Sequence, residues 1–511
     1  MQTTSISTSN TQNKNVRASI FYINDMHAQY RRMPQIKSEV DTFELTKKSN
    51  PDIDTFILSG GDNFIGSNKT KNKLVSPFLN LMKIEFSAVG NHEVDQINTL
   101  EDNLDNTDTD FIVSNLKCDG KSRLDKFLDN KIASSTIVEK NGNKYGIIGT
   151  APFKLNHSKQ LHDDHLDVDE YEKTKDDIKN EIEYLQEKGI DKIIMLSHVG
   201  YANDIRLAQE ISGIDIIVGG HSHNLIEGLK QNVNIITAPD GKPVIITQAG
   251  QNGEFFGKLD VEFDPSGKIV AATNKVKNTK NSPKSVIMKF FEDRLLGKPS
   301  TLGYVTRADE LKGDPKVAEN PYANLFTDAM RTQLDADIAL INSAGIRGKI
   351  SVGEVTNLDV QNLLPFDAQL IKVKLSEEDI VEALKDGAKS TRDKMLKPGL
   401  LQVSGLRYKI NEKGYLESAE IQNKDGSFKP LNIEDPSEDK KYIAVIDDFL
   451  MESDEYEHLN HVEIIEKYPI EKINLESVAV DFLKNQKNKD SIEFKLDGRI
   501  ENKALGKKLS D

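Results

Sequence analysis

The chain has 511 residues, 37% hydrophobic and 29% charged, with 67 basic against 82 acidic side chains and a net charge of −15. That length exceeds one ordinary domain, and the acidic balance excludes a long nucleic acid held by its phosphates, though not a small phosphorylated ligand. A single cysteine, Cys118, excludes a disulfide framework and a thiolate metal site.

Residues 1–16 are rich in Thr, Ser, Asn and Gln without an apolar core, so they read as disordered and not as a signal peptide. No later run approaches the ~20 apolar residues that a bilayer requires, so no membrane partner is expected. As written the chain is expected to be cytoplasmic, or periplasmic or extracellular if an export signal has been removed.

Residues 17–270 alternate short apolar runs with helical patterns. The runs 19–23, 55–58, 86–89, 193–196 and 214–218 read as buried parallel strands. Between them, residues 34–48 set Ile36, Val40 and Phe43 at helical spacing, and residues 173–188 set Ile178, Ile182 and Leu185 on one face before Gly189 stops the helix. This order predicts a largely parallel sheet with covering helices. Leu259 to Phe263 alternates apolar and polar before the turn Asp264-Pro265-Ser266-Gly267, which predicts antiparallel strands closing the domain. Residues 271–300, rich in Lys, Asn and Ser over 274–284, read as a solvated interdomain connector. A second domain is expected over 301–505. In it Asn320-Pro321 opens a helix striped by Tyr322, Leu325, Phe326, Ala329 and Met330, a strand follows at 338–341, and Ser376-Glu377-Glu378-Asp379 caps another helix.

Each of the five apolar runs ends in a polar cluster: Asp25-Met26-His27, Gly61-Asp62, Gly90-Asn91-His92-Glu93, Ser197-His198 and Gly220-His221-Ser222-His223. Open α/β sheets bind ligands at the carboxyl ends of their strands, so the five ends are expected to converge on one rim. Asp25 and His27, two residues apart, are expected to share one face of a strand. The Asp62 carboxylate can bridge two cations about 3.5–4 Å apart. Asn91 offers an amide oxygen, and His198, His221 and His223 offer imidazoles. Nitrogen and oxygen donors without sulfur suit Mn²⁺, Zn²⁺, Fe or Co. Five of the ten histidines lie in these clusters, the composition of a two-metal hydrolytic centre. The second half carries no such cluster and reads as a substrate-recognition domain.

These residues, in this order, resemble the calcineurin-like metallophosphoesterases. The second half narrows the resemblance to the bacterial 5′-nucleotidase and UDP-sugar hydrolase family, through NPYANLFTDAM at 320–330, IALINSAGIR at 338–347, Leu364-Pro365-Phe366 and LQVSGLR at 401–407. The resemblance implies a four-layer α/β/β/α metallophosphoesterase domain followed by a smaller α+β substrate-binding domain. It implies two divalent ions, Mn²⁺, Zn²⁺ or similar, one held by Asp25, His27, Asp62 and His223, the other by Asp62, Asn91, His198 and His221. By the same resemblance His92 faces the scissile phosphate as acid or charge stabiliser with Asp95 orienting it, and a metal-activated water attacks phosphorus in line. Arg347 matches the family's phosphate-binding arginine, and Phe366 and Phe449 its base-sandwiching pair.

The implied activity is release of phosphate from nucleoside monophosphates, a step of nucleotide catabolism. UDP-sugar or dinucleotide pyrophosphatase, 2′,3′-cyclic nucleotide phosphodiesterase and a non-catalytic ligand-binding protein are the alternatives. Three departures bear on the substrate. Lys312 and Lys316 stand where the family has further arginines, and a lysine makes no bidentate phosphate contact. Glu452-Ser453-Asp454-Glu455-Tyr456 replaces a Gly-Gly-Asp-Gly-Tyr loop, and Asp367-Ala368 lacks the family's base-contacting Asn.

Overall fold

The computed structural model of the chain describes residues 15–505 apart from 66–68, 95, 96, 129, 154–164, 313, 315, 347, 365, 367, 394–397, 471, 487 and 488. The chain forms two compact units, Met1–Lys298 and Pro299–Asp511.

The first unit holds two sheets. Strands β1 (Val16–Ile23), β2 (Asp54–Ser59), β3 (Phe86–Ala88), β4 (Asp110–Ile112) and β5 (Ile132–Ala133) run parallel side by side. The chain then builds a second sheet from β6 (Ser135–Lys140), β7 (Asn143–Thr150), β8 (Ile193–Ser197), β9 (Ile216–Gly219), β10 (Ile235–Thr237) and β11 (Pro243–Thr247), in the order β10-β11-β9-β8-β7-β6. It returns to the first sheet with β12 (Phe255–Phe263) and β13 (Ile269–Asn278), both antiparallel to their neighbours.

One core fills the space between the sheets: Ile20, Tyr22, Phe56 and Leu58 meet Ile147, Ile194, Leu196 and Val218. On the outer side of the second sheet, helix α1 (Tyr171–Glu187) buries Ile178, Ile182 and Leu185, and α2 (Tyr201–Glu210) buries Leu207 and Ala208, against Met195, Ile217 and Ile246. The helix Met33–Ser49 covers the outer face of the first sheet, its Phe43 ring 5.7 Å from Phe21 of β1. Helix, sheet, sheet, helix is the four-layer arrangement. Strands covered on both faces carry uninterrupted apolar runs, which is why these segments were readable as buried.

Two expectations are corrected. The five site-bearing runs do not share one sheet: β1, β2 and β3 lie in the first, β8 and β9 in the second. The rim is therefore the common edge of two facing sheets. Residues 271–300 are no connector either. Residues 271–278 complete β13, where Asn274 is buried and accepts a hydrogen bond from the Tyr22 hydroxyl at 2.8 Å. Glu39 then takes hydrogen bonds from Lys277 (2.6 Å) and Ser282 (2.5 Å), and the helix Val286–Leu296 follows within the first unit. The segment is polar because β13 is an edge strand with most of its residues turned to water.

In the second unit, helix α3 (Pro321–Gln333) is capped by the Asn320 side chain, which accepts from the backbone N–H groups of Tyr322 and Ala323. A five-stranded sheet follows, built from β14 (Ile338–Asn342), β15 (Leu370–Ser376), β16 (Leu401–Ser404), β17 (Lys441–Asp447) and β18 (Glu463–Lys467) in the order β16-β14-β17-β15-β18. Strands Leu406–Ile410, Leu416–Gln422 and Phe428–Pro430 belong to a separate four-stranded sheet. Helix Glu377–Lys389 opens with the expected capping box between Ser376 and Asp379. Among the described residues no helix is long and apolar enough to cross a membrane.

Candidate functional site

The chain leaves β1 at Ile23 and turns sharply, so Asp25 and His27 lie beyond the strand, both in the left-handed backbone region, with φ of 50° and 48°. Strand alternation does not bring them together, contrary to expectation; this turn does. Asp62, His221, His223 and Asn252 share that conformation, with φ of 51°, 72°, 57° and 57°. Non-glycine residues rarely adopt it, at a cost of order 1–3 kcal/mol each, and their concentration on one rim marks a functional site. Crossing hydrogen bonds hold the turns: the Asp25 N–H donates to Gly61 O and the His27 N–H to Asp62 O, both at 2.9 Å.

The result is a tight cluster of donors. His198 Nε2 lies 3.1 Å from Asp62 Oδ2 and 3.7 Å from Asp25 Oδ1. His27 Nε2 lies 3.4 Å from Asp62 Oδ2, and His223 Nε2 lies 3.2 Å from Asp25 Oδ1. Asp25, His27, Asp62 and His198 are buried. Asn91 and His221 meet each other, Oδ1 to Nδ1 at 3.1 Å, and the His221 ring sits 5.4 Å from that of His198. His92 reaches the edge of the cluster, with Nε2 4.0 Å from Asp62 Oδ2 and its backbone N–H donating to Asp62 Oδ1 at 2.9 Å. Side chains at Gly90 or Gly220 would collapse this arrangement. A Cβ on Gly90 would fall 2.1 Å from Asp62 Oδ1, and one on Gly220 2.6 Å from His198 Nδ1.

Burial opposes ionising Asp62, but the charges of His198 and His92 outweigh it and hold the carboxyl well below its usual range. Asp25 follows the same logic: burial pushes its carboxyl up, and the His223 hydrogen bond and the His198 charge bring it below normal. Burial likewise disfavours charge on His198, yet Asp62 and Asp25 raise it to about 10. Burial and the His198 charge lower His221 to about 4. Two buried carboxylates thus demand positive charge at this rim.

The donors fit divalent cations. His198 Nε2 is buried without a hydrogen-bond partner, the carboxylates face imidazoles with no Lys or Arg among their described ion pairs, and the donors are oxygen and nitrogen. Three groupings have donor atoms within 4.8 Å of one another: Asp25, His27 and His223; Asp25, Asp62 and His198; and His27, Asp62 and His92.

Several supporting residues have no signature in the sequence. Buried Glu93 accepts backbone N–H groups from Asp62 (2.9 Å), Asn63 (2.7 Å) and Gly90 (2.8 Å), tying the Asp62 turn to the Asn91-His92 segment. Its place beside His92 was the only signal available. Asn24 donates to Asp25 Oδ2 at 2.6 Å, Asn252 Oδ1 lies 3.0 Å from His27 Nδ1, and the carbonyl of Gly60 lies 2.6 Å from His198 Nδ1. Such partners fix the ring orientation and tautomer of a ligating histidine.

Asp95 and Arg347 lie outside the described residues. Phe366 and Phe449 stand in the second unit at one end of its five-stranded sheet. Phe366 precedes β15, Phe449 follows β17, and Leu370 of β15 pairs with Asp447 of β17. Phe449 is 49% exposed, which rules out a core role, while Phe366 is half-buried. Tyr456, in the altered loop, is fully buried and donates to Gly399 O at 2.7 Å. Burial pushes the Cys118 thiol up to about 11, which leaves it protonated and unreactive near neutral pH.

Residues 18–225 match the calcineurin-like phosphoesterase family, and residues 303–461 match the 5′-nucleotidase C-terminal domain. A trifunctional nucleotide phosphoesterase of Bacillus subtilis is 28% identical over 278 residues, covering 52% of this chain but only 18% of that longer protein. A probable 5′-nucleotidase of Treponema pallidum is 24% identical over 501 residues, covering 81% of this chain and 83% of its own. The crystal structure of a 5′-nucleotidase precursor from Thermus thermophilus superposes with a TM-score of 0.72 at 24% identity, over 95% of this chain and 99% of that one.

Proposed function

We propose that this chain, a metal-dependent hydrolase joining a calcineurin-like phosphoesterase domain to a 5′-nucleotidase C-terminal domain, releases phosphate from nucleoside monophosphates at a centre of two divalent cations. The observation that carries the reading is the convergence of buried Asp25 and Asp62 with His27, His198 and His223. Asp25, His27, Asp62 and His223 would hold one cation and Asp62, Asn91, His198 and His221 the other, with Asp62 shared. Bound there, such a pair would supply Lewis-acid charge to the phosphate and to the attacking water.

The chain's own groups do the rest. Asn252 and the Gly60 carbonyl hold the Nδ1 sides of His27 and His198, so each ring presents Nε2 to the centre. His92 is poised at the edge of the cluster, where Nε2 protonates the leaving oxygen or stabilises its charge, with Asp95 orienting the ring. Arg347 binds phosphate, and Phe366 and Phe449 take the base between their rings.

Protein reconstituted with Mn²⁺ and offered AMP, UDP-glucose and 2′,3′-cyclic AMP tests this. Phosphate release from AMP is expected, abolished in Asp62→Asn and lowered about 10²–10⁴-fold in His92→Ala. Faster turnover of the sugar nucleotide or the cyclic ester would reassign the substrate. Stoichiometric metal binding with no turnover of any of the three would overturn the hydrolase reading.

A further inference from the structure

A cavity of about 320 Å³ lies wholly within the second unit and is lined among others by Asp328, Arg331, Arg407, Phe428, Phe482 and Arg499. Strand register places it at the far end of the five-stranded sheet from Phe366 and Phe449. Ser404, which lines it, pairs with Ala339 near the start of β14, whereas Leu401 pairs with Asn342 at the end of β14.

Three arginines meet two carboxylates here, and the carboxylates are already taken. Arg499, buried, donates to Asp328 at 2.8 and 3.1 Å and to Asp497 at 2.6 and 2.9 Å. Asp328 also accepts from the Ser404 hydroxyl at 2.6 Å. Arg331 donates only Nε, to Ser404 Oγ at 2.9 Å, and forms no ion pair among the described residues, so both of its terminal nitrogens are uncommitted. Arg407 likewise has no described ion pair and stacks on Phe428 with its guanidinium carbon 4.1 Å from the ring centroid. That contact fixes the plane of the fork without using its N–H groups. Two pre-oriented guanidinium forks therefore open on one cavity in a chain whose net charge is −15.

We propose that this cavity binds a phosphate group, at a site separate from the metal centre. A carboxylate has two oxygens and satisfies one fork; a tetrahedral phosphate has enough acceptor oxygens for both. Free phosphate and the phosphate of a monoester offer the same chemistry, and the half-buried rings of Phe428 and Phe482 give a monoester's apolar body a surface to rest on.

Equilibrium dialysis of the full-length chain with radiolabelled inorganic phosphate tests the site. In Asp62→Asn, which removes the shared ligand of the metal centre, one phosphate per chain is expected to remain bound. Adding Arg331→Ala and Arg407→Ala should abolish it. Arg407→Lys keeps the charge but loses the fork, and should weaken binding at least about tenfold. Circular dichroism shows whether each variant folds, and the exposed Arg407 is the position at which folding is least at risk. AMP displacing the label more tightly than phosphate itself assigns a monoester; displacement by phosphate alone assigns the free anion. The arginine variants retaining full binding, or no binding in Asp62→Asn, would overturn the proposal.

Discussion

Glu93 shows how one side chain orders the site. Its two oxygens accept three backbone N–H groups, and Asn63 Nδ2 approaches one of them at 3.2 Å. Burial, reinforced by the Asp62 charge, pushes this carboxyl up to about 7. Glu93→Gln puts an NH₂ where an oxygen now accepts, turning it against donors that it cannot satisfy. Mn²⁺ affinity, measured calorimetrically, is expected to fall about 10–100-fold with the fold intact. Unchanged affinity would show that the Asp62 turn holds itself. Gly90→Ala tests the close approach directly. Its Cβ would meet Asp62 Oδ1 at 2.1 Å and the Asp62 nitrogen at 2.7 Å, so the turn must move, and metal binding is expected to be lost. The clustering of Asp25, His27, Asp62, His198 and His223 was legible because each sits just past an apolar run. Asn252 was not, since it lies 225 positions from His27 and reaches it only when β12 returns beside β1.

Elements were legible where local chemistry dictates them. The Ser376–Asp379 box is such a case, with Ser376 accepting the Asp379 N–H and Asp379 accepting the Ser376 N–H at 2.7 Å. Ser376→Ala should cost about 1 kcal/mol in urea denaturation, while Ser376→Asn should cost less. β13 was misread because an edge strand with one wet side looks like a loop in composition. The strand β9 is preceded by Asp215, buried, whose Oδ2 accepts the Ile193 N–H at 2.8 Å. Burial pushes this carboxyl up to about 7, with the hydrogen bond from Ile193 and the charge of Lys242 pulling partly back. Between about pH 4, where the unfolded carboxyl ionises, and about 7, the folded chain keeps a proton that the unfolded chain has released. Stability therefore falls as pH rises through that window. Asp215→Asn keeps an acceptor for Ile193 and carries no charge, so it should stabilise by about 2 kcal/mol at pH 8 and by little at pH 4.5. Equal gains at both values would exclude a buried charge as the cause.

For the whole molecule, metal binding should act on one unit. The clustered donors all come from Met1–Lys298, so Mn²⁺ at about 100 times its Kd should add about 2.7 kcal/mol to unfolding of that unit alone. Calorimetry of the full chain is expected to show the shift confined to one transition and reversed by chelator. An equal shift in both would mean that the units unfold as one. The chain by itself determined the buried strands and the donor set: continuous apolar runs specify strands covered on both faces, and Asp, Asn and His at their ends specify oxygen and nitrogen donors. The tertiary structure decided how those donors meet. The rim belongs to two sheets whose pairing joins residues nearly 200 positions apart. The donors are aimed by left-handed turns and by Glu93, Asn24 and Asn252, because the angle of a side chain depends on backbone strain and distant hydrogen-bond partners that local residue order does not encode.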